Sequence, residues 1–240
     1  MVPWLDDLGY FPASDNALTA EDDADGLLCA SLSITAAHLK ASYARGIYPW
    51  YSAGDPIMWW TPSQRAVLWC KDFKLSKSLR KTLLRHQASQ QYCVKIDTAF
   101  EQVLAACADR PQGTWMSADL RAAYTDWHRQ GAVHSVELWR GDALVGGFYG
   151  VALGQMFFGE SMFSRETDAS KIALACFVQW FAAQGGNVID CQQDTAHLMS
   201  LGASTLPRAT FEELLSQRIE LPAIDWVQAQ SSDLMALYTA

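Results

Sequence analysis

The spacing of apolar and polar positions divides the chain into stretches of different period. Residues 1 to about 25 are polar and acidic without a sustained period, and read as loop anchored by Trp4, Tyr10, Phe11 and Pro12. A short helix is predicted over 35–45: Thr35 can cap it, Leu39 and Tyr43 sit four apart on one face, and Gly46 stops it. The following GIYPWYSAGDPIMWWTP is dense in aromatics and broken by Pro49, Gly54, Pro56 and Pro62, which predicts loops around one short strand near Ile57–Trp60. These residues, 1–63, make a small N-terminal α/β domain, and 64–240 make a second domain.

In that second domain, 65–69 and 92–96 read as strands flanking a helix over 76–86 with Ser76 as its cap. Two helices follow over 98–108 and 117–129, and the loop between them holds Gly113, Thr114 and Trp115. The period then falls to two. Strands over 133–139, 143–152 and 155–163 are joined by short turns at Arg140-Gly141-Asp142 and near Gly154, an antiparallel meander. A helix over 168–184 is apolar nearly all round (Ile172, Leu174, Phe177, Val178, Trp180, Phe181), so it is buried. Gly185-Gly186 ends it, 188–191 reads as a buried strand, and Thr210 with Glu213 fits a capping box opening a late helix. The class is α+β, with a mixed, mostly antiparallel sheet. Its element order resembles the Gcn5-related N-acetyltransferase fold, in which the last two strands splay and an acyl donor lies in the gap. That order brings together Glu160, in the stretch FFGESMFS, and Asp190-Cys191-Gln192 on the neighbouring strand.

Composition narrows the picture. Half of the 240 residues are hydrophobic and ten are tryptophan, enough for a sizeable core. The net charge of -8 excludes a general nucleic-acid coat, which needs a broadly basic surface. Six cysteines lie at 29, 70, 93, 107, 176 and 191 without CxxC spacing, the pattern of reduced, buried thiols with no metal site. Acidic residues occupy the N-terminus where a signal peptide carries basic ones, and no apolar run reaches a membrane span of ~20 residues. The expectation is a soluble, cytoplasmic protein.

Two features bear on chemistry. Acyltransferases of this fold hold coenzyme A on a glycine-rich turn at the start of the central helix. The corresponding SRETDASK has no glycine, and Glu166 and Asp168 would repel phosphates. A CoA-dependent N-acyltransferase is therefore the weaker alternative. The one basic run, from Lys71 to Arg85, holds six Lys or Arg against one acid, with Lys77, Arg80, Lys81 and Arg85 able to reach one side of a helix. Such a run is either a solvated face or a phosphate contact. A nucleic-acid-binding module without activity, its ligand tRNA by the resemblance that follows, is the second alternative.

The segments ARGIYPWYSAGDPIMWWTPSQRAVLW, LSKSLRK, GTWMS, LVGGFYGVALGQMFFGESMFSRETDASK and IDCQQDTAHLMSLGA, in this order, resemble the leucyl/phenylalanyl-tRNA–protein transferase family. The resemblance implies transfer of leucine or phenylalanine, with methionine a further option, from tRNA to proteins with N-terminal Arg or Lys. That is a step of the N-end rule degradation pathway. No cofactor is implied, because aminoacyl-tRNA is itself a substrate. The reaction is aminolysis of an ester, in which the amine must be neutral and charge developing on the ester oxygen must be stabilised.

By this similarity Asp190 and Gln192 carry catalysis, two apart on a strand and so on one face, with Cys191 on the other. Gln192 is barely basic, and the assignment has it bonding the amine while Asp190 polarises it. Glu160 suits a cationic acceptor, or is a structural carboxylate. Phe148, Met162 and Phe177 match positions lining the pocket for the transferred side chain, where apolar area is rewarded. Trp50 and Trp115 match positions beside the 3′-terminal adenosine, and Lys77, Arg80, Lys81 and Arg85 suit the tRNA backbone. His134 and His197 read as structural. One departure stands out: after Gly26-Leu27-Leu28 the family usually has GGDL, whereas this chain has Cys29-Ala30-Ser31-Leu32.

Overall fold

The computed structural model describes residues 2–5, 10–52, 54–109 and 116–239, so Trp115 lies outside the described residues. In chain order the regular elements are β1 (Leu27–Ser31), α1 (Ala36–Tyr43), β2 (Tyr48–Pro49), β3 (Ile57–Trp60), β4 (Gln64–Trp69), α2 (Lys77–Ser89) and β5 (Tyr92–Ile96). Then come α3 (Phe100–Ala108), α4 (Ala118–Arg129), β6 (Val133–Arg140), β7 (Ala143–Leu153), β8 (Met156–Ser164), α5 (Ala169–Ala183) and β9 (Val188–Gln192). The chain closes with α6 (Ala196–Ser200), β10 (Ser204–Pro207), α7 (Arg208–Ile219), α8 (Trp226–Gln230) and α9 (Leu234–Leu237).

The large sheet runs β10-β4-β9-β8-β7-β6-β5, and β8–β9 is its one parallel pair among the described residues. The expected order, a three-stranded antiparallel meander, a buried helix and a strand parallel to the third, is what the chain adopts. Side chains alternate across the sheet. Val67, Tyr149 and Phe158 enter a core shared with α1, α3, α4, α7 and the small sheet. Leu68, Phe148 and Phe157 enter a second core with α2, α5, α8 and α9. The apolar α5 is buried along nearly its whole length, as its sequence requires.

Caps at Thr35, Ser76 and Ser117 accept backbone N–H groups from His38, Leu79 and Leu120, as side-chain oxygens at these positions should. Other expectations need correction. Residues after Gly26 form a strand, β1, pairing with β3 in the order β1-β3-β2. Its bulge between Leu27 and Cys29 breaks the alternation that would have revealed it. The late helix α7 begins after Pro207, so Thr210 lies inside it and no capping box forms. Asp168 precedes α5 in a left-handed conformation and gives it no side-chain cap. Beyond α7, Asp233 accepts the N–H of Val94 on the edge strand β5, satisfying one donor at an otherwise open sheet edge.

Candidate active site

β8 and β9 pair only from Met156–Val188 to Phe158–Asp190, while β8 continues to Ser164 and β9 to Gln192. The strands part beyond Phe158, and a cavity of about 460 Å³ opens there. Its apolar wall comes from Phe148, Phe157, Met162, Leu174, Ile189 and Leu198. Glu160, Ser161, Gln192, Gln193, Thr195 and His197 supply polar groups, and Tyr48, Pro49 and Trp50 reach it from the N-terminal part.

A β-bulge sets the direction of Glu160. Tyr149 faces Ser161 and Gly150 faces Gly159, so Glu160 has no residue opposite it on β7. Gly150 is required here, because a Cβ would collide with the Phe158 carbonyl and the Phe157 ring. The Glu160 carboxylate accepts from Tyr43 Oη at 2.6 Å, Gln192 Nε2 at 2.6 Å and Tyr124 Oη at 2.8 Å. The two tyrosine hydroxyls are also 2.8 Å apart. Burial, joined by the nearby Asp190 charge, pushes the Glu160 carboxyl up to about 7, although its three donors oppose the rise. Burial and then the Glu160 charge hold both tyrosines well above their ordinary value, so they stay protonated donors.

Asp190 is handled differently. It is wholly buried, and both oxygens meet Arg65, Nε at 2.8 Å and Nη2 at 2.6 Å. Arg65 is itself buried, with its guanidinium 4.6 Å from the centre of the Tyr48 ring and 4.7 Å from that of Phe211. Asp190 Oδ1 also accepts the backbone N–H of Gln192 at 2.9 Å. Gln192 has φ +63°, which breaks strand alternation. Cys191 and Gln192 line the cavity, whereas Asp190 is turned to Arg65 and does not. Burial raises the Cys191 thiol far above its ordinary value, which removes it as a nucleophile at neutral pH.

The remaining candidates separate clearly. Phe148 and Met162 line the cavity, whereas Phe177 backs the wall, 5.4 Å from Phe148 and 4.7 Å from Phe157 between ring centres. Trp50 is 46% exposed at the rim, edge-on to Trp60, whose indole N–H bonds the Trp50 carbonyl. Lys77, Arg80, Lys81 and Arg85 are exposed on α2, away from the cavity, and make no ion pair among the described residues. His134 is buried between Asp97 and the Gly131 carbonyl and stacks on Trp226, a structural role, but His197 reaches the cavity.

Sequence reasoning missed Arg65, Tyr43 and Tyr124 as site residues. For Arg65 a signal existed: an aspartate in the apolar run Val188-Ile189-Asp190 needs a buried cation, and Arg65 directly precedes the apolar Ala66-Val67-Leu68-Trp69 of β4.

The sequence model of the family described as leucyl/phenylalanyl-tRNA protein transferase matches residues 67–216, and that of its N-terminal domain matches 33–63. Relatives named leucyl/phenylalanyl-tRNA–protein transferase include one from Bordetella avium, 48% identical over 94% of this chain and 92% of its own length. Another, from Methylibium petroleiphilum, is 51% identical over 92% of this chain and 85% of its own. Among solved structures, a GCN5-related N-acetyltransferase-like protein from Streptococcus suis is similar over 70% of this chain and 62% of that one. The match has 15% identity and a TM-score of 0.33.

Proposed function

The chain belongs to the leucyl/phenylalanyl-tRNA–protein transferase family, and from that membership we propose that it moves leucine or phenylalanine from aminoacyl-tRNA to the α-amine of proteins beginning with Arg or Lys. It is an aminoacyltransferase. The observation that carries the mechanism is the Glu160–Gln192 hydrogen bond at the mouth of an apolar cavity.

The transferred side chain occupies the wall of Phe148, Met162 and Leu174, where shape and apolar area discriminate leucine and phenylalanine from polar residues. Trp50 offers an indole face to the terminal adenine, and the exposed cations of α2 bind the tRNA backbone. The acceptor enters with its cationic end toward Glu160. Gln192 orients the amine, and Asp190, neutralised by Arg65, holds Gln192 in place. Because the amino acid arrives activated as an ester, no cofactor is needed. The backbone N–H of Ser170 at the start of α5 is already bonded to Ser164 Oγ, which also argues against a coenzyme A pyrophosphate there. The Arg/Lys preference makes the enzyme a tagging step for N-terminal degradation.

The test is direct. Protein mixed with leucyl-tRNA and a peptide beginning with Arg should give a Leu-Arg peptide bond, seen by mass spectrometry. A folded protein that leaves the ester intact, or transfers equally to peptides beginning with Glu, refutes the reading.

A further inference from the structure

Three groups from three elements close a ring: Tyr43 at the end of α1, Tyr124 on α4 and Glu160 at the β8 bulge. Its contacts are Tyr43 Oη to Glu160 Oε1 at 2.6 Å, Tyr124 Oη to Glu160 Oε2 at 2.8 Å, and hydroxyl to hydroxyl at 2.8 Å. All three lengths are those of O–H···O hydrogen bonds. Each such bond needs one proton, yet the two hydroxyls supply only two. With Glu160 ionised, one contact has oxygen lone pairs facing each other. With one added proton every contact is satisfied: Glu160 Oε2–H donates to Tyr124, Tyr124 donates to Tyr43, and Tyr43 donates to Glu160 Oε1. Bonds arranged head to tail in this way also polarise one another.

We propose that Tyr43, Tyr124 and Glu160 form a proton-accepting ring that takes up the proton an acceptor α-ammonium must lose before it attacks. The proposal rests on the transferase reading and specifies its proton path. One ammonium proton passes to Glu160, and the ring closes. The freed amine forms the C–N bond at the ester carbonyl, the bond from that carbon to the ribose oxygen breaks, and a second amine proton goes to the leaving oxygen. The third stays on the new amide nitrogen. Glu160 returns its proton to solvent once product leaves. Gln192 donates to Glu160 Oε1 through its own amide, so its bond is made with the ring charged or neutral, more strongly to the charged form. Glu160 reacts, and the tyrosines are positioning residues.

Other groups facing the ring are accounted for. Asp190 on β9 raises the affinity of Glu160 for a proton, but its own oxygens are taken by Arg65 on β4. Tyr48 on β2 also feels the Glu160 charge. Tyr149 on β7 directs its hydroxyl to Met116 Sδ.

The ring makes a prediction opposite in sign to that of two independent donors. Removing a donor from a carboxylate ordinarily raises its pKa. Opening the ring instead removes two neutral bonds from the protonated form, and from the ionised form one charge-assisted bond together with the lone-pair clash, so the pKa falls. The experiment follows the Glu160 carboxyl carbon by NMR in substrate-free, carbon-13-glutamate-labelled protein, assigned by Glu160→Gln. It compares wild type with Tyr43→Phe and Tyr124→Phe, each checked for fold by circular dichroism. A downward shift of about one pH unit in either folded tyrosine variant is expected, the size of one neutral hydrogen bond. A rise, or no change, overturns the ring. In single-turnover transfer the acidic limb of the rate profile should move down by the same amount, and a limb that stays put overturns the proton path. If wild type shows the carboxyl titration but transfers nothing from leucyl-tRNA, the donor and acceptor assignment fails while the ring stands.

Discussion

Replacing Arg65 tests whether Asp190 works by charge or by position. In Arg65→Met the aspartate stays fully buried with no cation, and one partner stripped from a buried pair costs about 3–5 kcal/mol. For a chain of this size that lowers Tm by roughly 6–20 °C. Asp190→Leu alone strands Arg65 between the Tyr48 and Phe211 rings, and should cost a similar amount. Arg65→Met with Asp190→Leu removes both charges and fills the space with apolar atoms, so most of the lost stability should return. Activity should not return with it. The double variant has no oxygen to accept the Gln192 N–H, so the φ +63° conformation that turns its side chain toward Glu160 loses its anchor. A displacement of that kind costs on the order of 100-fold in rate. Thermal melts and single-turnover transfer from leucyl-tRNA read the two effects separately. A double variant with restored Tm and near wild-type transfer would refute the positional role of Asp190, as would single variants that melt like wild type.

Glu160→Gln should abolish transfer and yet stabilise the fold in alkaline solution. The Glu160 carboxyl is raised to about 7 in the folded chain against 4.5 ordinarily, so the native state holds the extra proton and stability falls as pH rises between those values. The Tm difference between variant and wild type should therefore grow across that window and level off above it. A constant difference from pH 4 to 8 contradicts the titration. Alanine at Lys77, Arg80, Lys81 and Arg85 together should lower the slope of log binding constant against log salt by up to about 3 for tRNA, measured by filter binding. Trp50→Ala should raise KM for an aminoacyl-adenosine donor by roughly 5–150-fold, the value of one base–aromatic stack, with little change in the pH profile.

The alternation of the meander and the unbroken apolar run of α5 made the large sheet legible, because burial on one or two faces leaves a period in the sequence. The strands β1 and β10 left no such period. Each is short, partly exposed or bulged, and is defined by hydrogen bonds to β3 and β4, partners more than twenty residues away. At the site the same divide applies. Glu160 and Gln192 are legible as neighbours because the order β8-α5-β9 forces them together, whereas Phe148 and Met162 came from the family resemblance. Tyr43 and Tyr124 look like ordinary helix-face aromatics, and only the docking of α1 and α4 brings their hydroxyls to one carboxylate. The left-handed backbone at Gln192 is likewise invisible to period, being a single residue at the end of β9.

Two carboxylates in one site have opposite kinds of partner, and this divides the chemistry between them. Asp190 has a bidentate cation, with both of its oxygens taken by the buried Arg65 guanidinium. Glu160 has only neutral donors, and the three contacts among it, Tyr43 and Tyr124 cannot all be hydrogen bonds until a proton arrives. The proton acceptor is therefore the residue without a counter-ion, and the ion pair behind it is scaffolding. Exchanging the two environments should exchange the roles. A cation introduced beside Glu160, as in Tyr124→Lys, should stabilise its charged form and pull its carboxyl down. Transfer should then slow at every pH at which the lysine is charged, even though the carboxylate is fully ionised, because its affinity for the amine's proton is lost. Unchanged or faster transfer in that variant would refute a role for Glu160 in taking up the proton.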